Sequence, residues 1–374
     1  MSRLRLAVVG VGHLGRIHAR LAAKLPEIEL VAVVDARREA RDAVAAETGA
    51  RAVAEYRELF GEVDAAIVAT PTCSHSAVAS DLIRGGVHVL VEKPITATLQ
   101  EAEELVQLAR RRQAVLQVGH VERFNPALVS VADRLAEPKY IEGRRQSGYT
   151  FRSTDVGVVM DLMIHDIDVV LSLVKSPVAR VDALGVSVLG DHEDMVSARL
   201  QFANGAVANL VASRTSFAPA RTMQVFTASR FASIDFAARR ATVVEPRRDV
   251  LDRDFCVADL SEEERARLRE RLFEELLVRQ EVPAVETNAI EEEQRDFAAA
   301  IRTGGSPRVT GADGRDAVAV AESVLQRVRM HAGDGSDGRR LGPLALPTMA
   351  APAAAAAADM WSTDDTVVVR RKAG

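Results

Sequence analysis

Cysteine is scarce in this sequence, and its positions form no metal-binding pattern. Cys73 and Cys256 are the only cysteines among 374 residues, and neither belongs to a Cys-x-x-Cys pair. A disulfide framework needs several cysteines, and a structural zinc site needs clustered cysteine or histidine ligands. We therefore expect neither disulfides nor a bound metal. A reducing compartment, the cytoplasm, is the expected location.

Long positively charged blocks and long apolar runs are also missing. The formal net charge is -5, and no dense run of lysine and arginine occurs, which argues against nucleic acid as a partner. No stretch reaches the roughly 20 apolar residues that a membrane-spanning helix requires. The N-terminal MSRLRLAVVGVG is too short in its apolar part and too rich in glycine for a signal peptide. These absences predict a soluble protein without a membrane partner.

Short apolar segments alternate with helical segments in the N-terminal part of the chain. LRLAVV (4–9), IELVAVVD (28–35) and VHVLVEKP (87–94) are predicted to be buried strands, and the segments between them have helical periodicity. This alternation is typical of a parallel sheet with helices on both faces. The fold class is therefore predicted to be α/β, with a Rossmann dinucleotide-binding domain at the N-terminus.

A different pattern begins near Gly119 and continues to about Pro246. The apolar segments become longer and two-faced, and Asn204-Gly205 marks a hairpin turn between two of them. This pattern predicts antiparallel strands, interrupted by the helix that contains DLMIHDID (161–168). The later segment SEEERARLRERLFEELL (261–277) begins with a capping box and is predicted to be helical throughout.

The chain divides into three predicted parts. Residues 1–122 form the nucleotide-binding domain, residues 123–331 form a domain for substrate binding and oligomerisation, and residues 332–374 form a tail. The last helices before residue 331 are expected to return to the first domain. The tail is rich in Gly, Pro and Ala, with six consecutive alanines at 353–358, so disorder is expected there.

Gly10, Gly12 and Gly15 form a Gly-x-Gly-x-x-Gly loop between the first strand and the first helix, and Asp35 ends the next strand. The glycines allow a tight turn, close approach of a diphosphate, and close packing of helix and strand. Asp35 is expected to bind the ribose hydroxyls and to repel a 2′-phosphate, so NAD is predicted in preference to NADP. A glycine-rich turn without a ligand is the open alternative.

A lysine at the end of VHVLVEKP stands where ligands of open α/β sheets bind. ATPT (69–72) ends the preceding strand at the same edge. A structural pairing of this lysine with a carboxylate is the open alternative. The residues expected to bind the cofactor are Gly10, Gly12, His13, Leu14, Gly15, Asp35, Ala36, Arg37, Thr70, Pro71, His75, Glu92 and Lys93.

The helix that contains DLMIHDID carries three carboxylates and a histidine in an otherwise apolar segment. Asp161, His165 and Asp168 are spaced four and three apart and are expected to share one helix face. Because a buried charge needs a partner or a polar cavity, this face is predicted to line the reacting site. Asp161 is expected to accept a hydrogen bond from His165, whose other ring nitrogen takes a proton from an alcohol. The exchange of roles between His165 and Lys93, with Lys93 taking the proton, is left open by the sequence. An internal hydrogen-bonding network is the open alternative.

GVGHLGRIHA, ATPTCSH, EKP, VERFNPA and DLMIHDID occur in this order, and together they resemble the Gfo/Idh/MocA family of sugar and inositol oxidoreductases. The resemblance covers about residues 4–331. It implies an N-terminal Rossmann domain and a C-terminal α/β domain with a large open, mostly antiparallel sheet. It also implies a homo-dimer or homo-tetramer. Carried over by position, the family's catalytic lysine, aspartate and histidine fall on Lys93, Asp161 and His165.

Within the family, GHVERFNPA and ANGAVANLVASR are most similar to dehydrogenases of UDP-N-acetylglucosamine. This resemblance implies oxidation of the sugar 3-hydroxyl and a partner aminotransferase that uses the product. Another sugar, sugar-acid or inositol dehydrogenase and a non-catalytic NAD-binding regulator remain alternatives. The residues expected to bind the nucleotide sugar are Lys93, Arg123, Asn125, Arg152, Asp161 and His165, with Arg145 and Arg214 as further candidates for its diphosphate.

Overall fold

The structure of this chain is a computed structural model that describes residues 3–151, 156–189 and 192–333. The predictions made for Arg152 and for the tail from residue 334 onward lie outside the described residues.

A parallel sheet forms from the N-terminal part of the chain, as predicted. Ala7 and Val9 pack into one apolar cluster and Leu6 and Val8 into another, so both faces of the sheet are covered. Because both faces are buried, the strands are apolar at consecutive positions and do not alternate between apolar and polar residues. The strands are β1 (Leu4–Val9), β2 (Ile28–Val34), β3 (Arg51–Val53), β4 (Ala65–Val68), β5 (His88–Glu92) and β6 (Leu116–Gly119). Their order in the sheet is β3-β2-β1-β4-β5-β6. The helices between them are α1 (His13–Ala22), α2 (Arg38–Thr48), α3 (Thr72–Arg84) and α4 (Leu99–Arg112).

A mixed, mostly antiparallel sheet forms from the following residues, and this confirms the predicted fold class. Its strands are β7 (Tyr140–Gln146), β8 (Val178–Val186), β9 (Met195–Phe202), β10 (Val207–Ser213), β11 (Ala220–Phe226), β12 (Phe231–Asp235), β13 (Arg240–Pro246) and β14 (Leu277–Val282). Their order is β14-β13-β12-β11-β7-β10-β9-β8, with β7 and β10 parallel to each other. The helices of this part are α5 (Pro126–Val129), α6 (Ile164–Val174), α7 (Arg248–Leu251), α8 (Glu262–Glu270), α9 (Ala289–Thr303) and α10 (Gly311–Gly333).

Two local signals in this region are confirmed, and one predicted helix is shorter than expected. Gly205 has a φ of +83° in the turn between β9 and β10, and Ser261 forms the capping box of α8 with Glu264. However, α8 ends at Glu270, and a π-helical turn leads into β14, which pairs with β13. Pairing with the neighbouring strand satisfies the backbone of β14 and overrides its helical periodicity.

The last two helices pack against both sheets. Phe297 of α9 belongs to the apolar cluster that contains Leu4 and Leu6 of β1. In α10, a Cβ on Gly314 would lie 2.6 Å from Val118 of β6, and Val328 lies against Gly185 of β8. A single apolar cluster therefore contains residues of both sheets. The domain boundary near residue 122 stays a prediction.

Hydropathy along the described helices is too low for membrane insertion. In this part of the chain, no helix combines the length and the apolar content that crossing a bilayer demands.

Candidate active site

The glycine loop between β1 and α1 is closely packed against protein atoms at Gly10 and Gly15, whereas no protein atom lies near the Cβ position of Gly12. Gly10 has a φ of +87°, and a Cβ there would lie 2.7 Å from the amide nitrogen of Thr70. A Cβ on Gly15 would lie 1.8 Å from the carbonyl oxygen of Gly10, so only glycine lets helix and strand approach this closely. A Cβ on Gly12 would meet nothing within 4 Å. A diphosphate can approach the backbone at this open tip.

The N-terminus of α1 supplies main-chain donors at the same place. Gly12 is the N-cap and contributes no side-chain cap. The first amide groups of a helix have no partner within the helix, and the helix dipole is positive at this end. His13 is exposed and Leu14 is half-buried in this first turn. The combination favours an anionic ligand.

Asp35 follows β2 and is held beside the loop. Its Oδ2 accepts a hydrogen bond from the amide of Val11 at 3.0 Å, and its Oδ1 accepts one from the amide of Arg37 at 2.9 Å. Burial raises the pKa of Asp35, but the hydrogen bonds from Arg37 and Val11 outweigh it and lower the pKa below its ordinary value. An ionised carboxylate at the end of the second strand suits the ribose hydroxyls of NAD. Ala36, the next residue, is exposed. The loop, the helix end and this carboxylate therefore fit NAD.

Glu92 is buried and is hydrogen-bonded to groups of the protein. Its Oε1 accepts a hydrogen bond from Nε2 of buried His18 at 2.7 Å, and its Oε2 accepts one from the amide of Lys93 at 3.2 Å. Buried Glu293 lies close to this pair. One ring nitrogen of His18 and one carboxylate oxygen each of Glu92 and Glu293 lie within 4.8 Å of one another. Glu92 therefore anchors the end of β5 to α1, and its expected contact with the cofactor stays a prediction.

His75 also serves the backbone. Its Nδ1 lies 2.9 Å from the carbonyl oxygen of Pro94, and its Nε2 lies 2.8 Å from that of Thr70. The ring is buried and connects the segments that follow β4 and β5. Both ring nitrogens face protein carbonyls, so His75 supports the backbone here, and its expected contact with the cofactor stays a prediction. Pro71, between these segments, is exposed.

Lys93 and Asp161 meet at the carboxyl edge of the first sheet. The Lys93 ammonium donates to the main-chain carbonyl of Asp161 at 2.5 Å and to its Oδ1 at 3.3 Å. The two side chains keep 16% and 27% of their surface exposed, so a ligand can reach both. The structure thus joins two predicted site residues that lie 68 positions apart in sequence.

The expected hydrogen bond between Asp161 and His165 does not form. Nδ1 of His165 is buried and has no hydrogen-bonding partner among the described residues. The reason is local: residues Val159–Met163 form a π-helical turn, and α6 begins only at Ile164. A π-helical turn is wider than an α-helical one, so the spacing of four does not align these side chains. Asp161 turns to Lys93 instead.

His165 is a half-buried imidazole next to these groups. Burial, followed by the positive charge of Lys93, lowers its pKa well below the ordinary value of 6.5. The ring is therefore neutral at neutral pH and is able to accept a proton. Because its Nδ1 edge is buried, the accessible edge carries Nε2.

His120 is a second histidine that the sequence did not single out. Its ring stands edge-on to that of His165, with centroids 6.3 Å apart and an interplanar angle of 88°. It is buried, and neither ring nitrogen has a partner among the described residues. Burial first and Lys93 second lower the pKa of His120 to about 3. The sequence did contain a signal for His120. It follows β6 as Lys93 follows β5, so both residues lie at the carboxyl edge of the sheet.

The arginines expected to bind a diphosphate are engaged inside the protein. Buried Arg145 donates to Asp166 at 2.7 Å and to Glu122 at 2.8 Å. Arg214 is also buried and donates to Asp194 at 2.7 Å. Such pairs stabilise charges that would otherwise be costly to bury. Both arginines are thus paired within the protein, and their expected contact with the diphosphate stays a prediction.

Arg123 and Asn125, which are also expected to bind the substrate, likewise have partners within the protein, and their expected role stays a prediction. Arg123 donates to Asp168 at 3.3 Å and to the main-chain carbonyl of Arg308 at 3.1 Å. Buried Asn125 accepts a hydrogen bond from the amide of Ala127 and thereby caps α5. An asparagine before proline favours this capping position.

Arg221 on β11 is an exposed cation near the site. Its charge contributes to lowering the pKa of His165. Among the described residues its side chain has no hydrogen bond or ion pair. The sequence offered no signal for it, because its position depends on the pairing of Arg221 with Arg145 across β11 and β7.

Comparison with known proteins identifies the family. The model described as "Oxidoreductase family, NAD-binding Rossmann fold" matches residues 4–120, and "GFO/IDH/MocA C-terminal domain" matches residues 129–229. The chain belongs to the Gfo/Idh/MocA family.

Relatives within the Gfo/Idh/MocA family include sugar and inositol dehydrogenases. The chain is 42% identical over 237 residues to the UDP-N-acetylglucosamine 3-dehydrogenase of Acidithiobacillus ferrooxidans, across 63% of this chain and 75% of that protein. A solved structure of UDP-N-acetylglucosamine 3-dehydrogenase from that organism is 35% identical with a TM-score of 0.77, and covers 88% of this chain and 99% of that chain. The scyllo-inositol 2-dehydrogenase (NAD(+)) of Bacillus subtilis is 30% identical over 234 residues, 57% of this chain and 68% of that protein.

As a Gfo/Idh/MocA protein, the chain is an NAD-dependent dehydrogenase. The predicted family and the predicted NAD cofactor are confirmed. NAD, when bound, accepts a hydride at its nicotinamide ring.

Proposed function

We propose that this enzyme oxidises the 3-hydroxyl of UDP-N-acetylglucosamine to a ketone, with NAD as the hydride acceptor. The observation that carries the proposal is the contact between Lys93 and Asp161 beside a neutral His165, at the sheet edge that holds the glycine loop. The 42% identity to a UDP-N-acetylglucosamine 3-dehydrogenase supports the choice of substrate.

Each of the three residues has a distinct role in this proposal. His165 takes the hydroxyl proton through Nε2, because its ring is neutral and this edge is accessible. Lys93 donates a hydrogen bond to the reacting oxygen and stabilises its developing negative charge. Asp161 holds the Lys93 ammonium in place through its carbonyl and its carboxylate.

Arg221 is the proposed contact for the substrate diphosphate. It is exposed, lies within electrostatic reach of His165, and has no competing carboxylate among the described residues. Arginine binds phosphate oxygens in a bidentate manner. Arg221→Met should raise KM for the nucleotide sugar more than it lowers kcat, whereas Arg110→Met, at an exposed site on α4, should change neither.

The proposed product determines the expected partners. A 3-keto sugar nucleotide is the substrate form that an aminotransferase converts into a 3-amino sugar, so such an enzyme is the proposed functional partner. A homo-dimer or homo-tetramer in the cytoplasm is proposed with it, on the resemblance to the family.

The test is to incubate the protein with NAD and either UDP-N-acetylglucosamine, myo-inositol or scyllo-inositol and to record NADH absorbance. NADH should form with the nucleotide sugar. His165→Ala should reduce turnover by roughly 100-fold or more, the range for loss of a general base, and should leave NAD affinity nearly unchanged. His192→Ala, at an exposed histidine, is the matched control. Normal turnover of folded His165→Ala would exclude the proposed role, and NADH from an inositol alone would exclude the proposed substrate.

A further inference from the structure

Four buried polar atoms near His165 have no hydrogen-bonding partner among the described residues. They are Nδ1 of His165, Nδ1 and Nε2 of His120, and Oδ2 of Asp168. Buried polar atoms are nearly always paired in folded proteins. Each of the four belongs to a side chain that can accept a proton or pass one on, so their grouping calls for a chemical explanation.

These side chains extend from the reacting edge into the protein. His165 and Asp168 are three positions apart on α6, which places them on the same helix face. The edge-on ring of His120 stands beside His165, with 6.3 Å between centroids. This separation suits transfer between ring nitrogens through one bridging water molecule.

His120 and Asp168 share their charged neighbours. Arg123 and Asp313 influence the pKa of His120, and the same two residues influence the pKa of Asp168. Arg123 also contacts Asp168 directly at 3.3 Å. The amide of Arg123 donates a hydrogen bond to the main-chain carbonyl of His120 at 3.0 Å, so Arg123 contacts both residues.

Asp168 lines a cleft whose lining residues do not include Lys93. The cleft has a volume of about 720 Å³, and Arg123, Asp168 and Asp313 line it. Lys175 and Asp316, which also line the cleft, are exposed, whereas Asp168 keeps only 1% of its surface exposed. The cleft thus connects a buried carboxylate with solvent.

We propose that the proton released during oxidation leaves the enzyme by a relay from His165 through His120 to Asp168 and then to water in this cleft. The relay rests on the proposed role of His165 as the base. The substrate O–H bond breaks and His165 takes the proton, while the C–H bond breaks and its hydride passes to NAD as the C=O bond forms. The proton then moves along the relay, and one proton per turnover reaches solvent.

The pKa values of His120 and Asp168 agree with proton transfer from His165 toward the cleft. His120 is neutral at neutral pH, so one ring nitrogen accepts a proton while the other releases one. Burial raises the pKa of Asp168 to about 7, despite the opposing effect of Arg123. Asp168 therefore holds and releases a proton readily near neutral pH. A bound substrate covers the accessible edge of His165, so the relay offers an exit that stays open during the reaction.

The experiment follows proton release and NADH formation in the same rapid-mixing run. The protein and NAD are mixed with whichever of UDP-N-acetylglucosamine, myo-inositol or scyllo-inositol yields NADH, in weak buffer with a pH indicator. In the wild type the two signals should rise together. In His120→Phe, NADH formation should slow by about 10-fold or more, and imidazole in solution should restore part of the rate. In Asp168→Asn, proton release should lag behind NADH formation.

Asp166→Asn is the matched control, because Asp166 is a buried carboxylate on the same helix that pairs with Arg145. It should lower melting temperature without separating the two signals. His120→Asn replaces His120→Phe if the phenylalanine variant does not fold. Coincident signals at wild-type rates in folded His120 and Asp168 variants would overturn the relay. NADH from an inositol alone would overturn only the proposed substrate, and NADH from none of the three alcohols would overturn both proposals.

Discussion

At the scale of single residues, each carboxylate of the site region has a different partner and therefore a different task. Asp35 accepts hydrogen bonds from two main-chain amides, Asp161 holds Lys93, and Asp166 neutralises buried Arg145. Residue type alone does not distinguish these tasks. The partner decides whether a carboxylate binds a ligand, positions a neighbour or supports the core.

Asp35 should determine the choice of cofactor. NAD is expected to bind at least about 10-fold more tightly than NADP, roughly 1.4 kcal/mol, because the ionised carboxylate repels a 2′-phosphate. Asp35→Ser should narrow this difference, since Arg37 loses its partner and becomes free to meet the phosphate. Titrations of both reduced cofactors measure the effect, with Asp42→Ser on α2 as the control. Equal wild-type affinities would contradict the assignment.

At the scale of elements, two glycines of the loop between β1 and α1 differ in the space around them. Gly15 contacts protein atoms where a Cβ would stand, whereas Gly12 faces open space. Gly15 is therefore expected to matter for fold stability, and Gly12 is expected to matter for ligand binding.

Gly15→Ala should lower the melting temperature, because its Cβ would overlap the carbonyl oxygen of Gly10 and force strand and helix apart. Gly12→Ala should melt near the wild-type temperature but bind NAD much more weakly, because its methyl group occupies the path of the diphosphate. Calorimetry and NAD titration of both variants test this pair. An unchanged NAD affinity in Gly12→Ala would contradict the assigned path.

Helix α9 carries a buried acid whose protonation links stability to pH. Both carboxyl oxygens of Glu293 are buried without a hydrogen-bonding partner among the described residues. Burial, followed by the charges of Glu92 and Asp296, raises its pKa well above 4.5. The folded chain therefore keeps a proton that the unfolded chain loses above its ordinary pKa. This contribution to stability is complete at low pH and is lost as pH rises.

Glu293→Gln removes this titration while keeping the shape of the side chain. The variant should melt at a higher temperature than the wild type at pH 8, and the difference should shrink toward pH 5. Thermal melts across this pH range provide the measurement. Glu292→Gln, at a half-buried position that pairs with Arg295, should show little such dependence. A lower melting temperature of Glu293→Gln at pH 8 would contradict the raised pKa.

At the scale of the whole molecule, the two sheets share one apolar core. Val91 of β5, Leu200 of β9 and Val324 of α10 belong to the same cluster. Disruption of either sheet exposes apolar surface that the other sheet helps to bury, so the two parts should unfold together.

Calorimetry should accordingly show one cooperative transition for the two sheets. NAD at 100 times its dissociation constant should stabilise the folded chain by about 2.7 kcal/mol and should shift the entire transition. A scan with two separate transitions, of which NAD moves only one, would show that the sheets unfold independently. Gly12→Ala provides the control, because the same NAD concentration should shift its transition much less.

The sequence by itself determined the features that depend on neighbours along the chain. The alternation of strands and helices, the glycine loop before α1, the hairpin at Gly205 and the position of Lys93 at the end of β5 were all predictable. Their causes are local: the periodicity of apolar residues, the conformational freedom of glycine and the geometry of helix caps.

Only the tertiary structure decided which charged groups are partners. Glu92 pairs with His18, 74 positions away, and Lys93 binds Asp161, 68 positions away. His120 and Arg221 reach the site because separate strands place them there. The π-helical turn at Val159–Met163 also changed which side chains share a helix face. Electrostatic pairing depends on distance in space and on burial, and these arise only when elements far apart in the chain pack together.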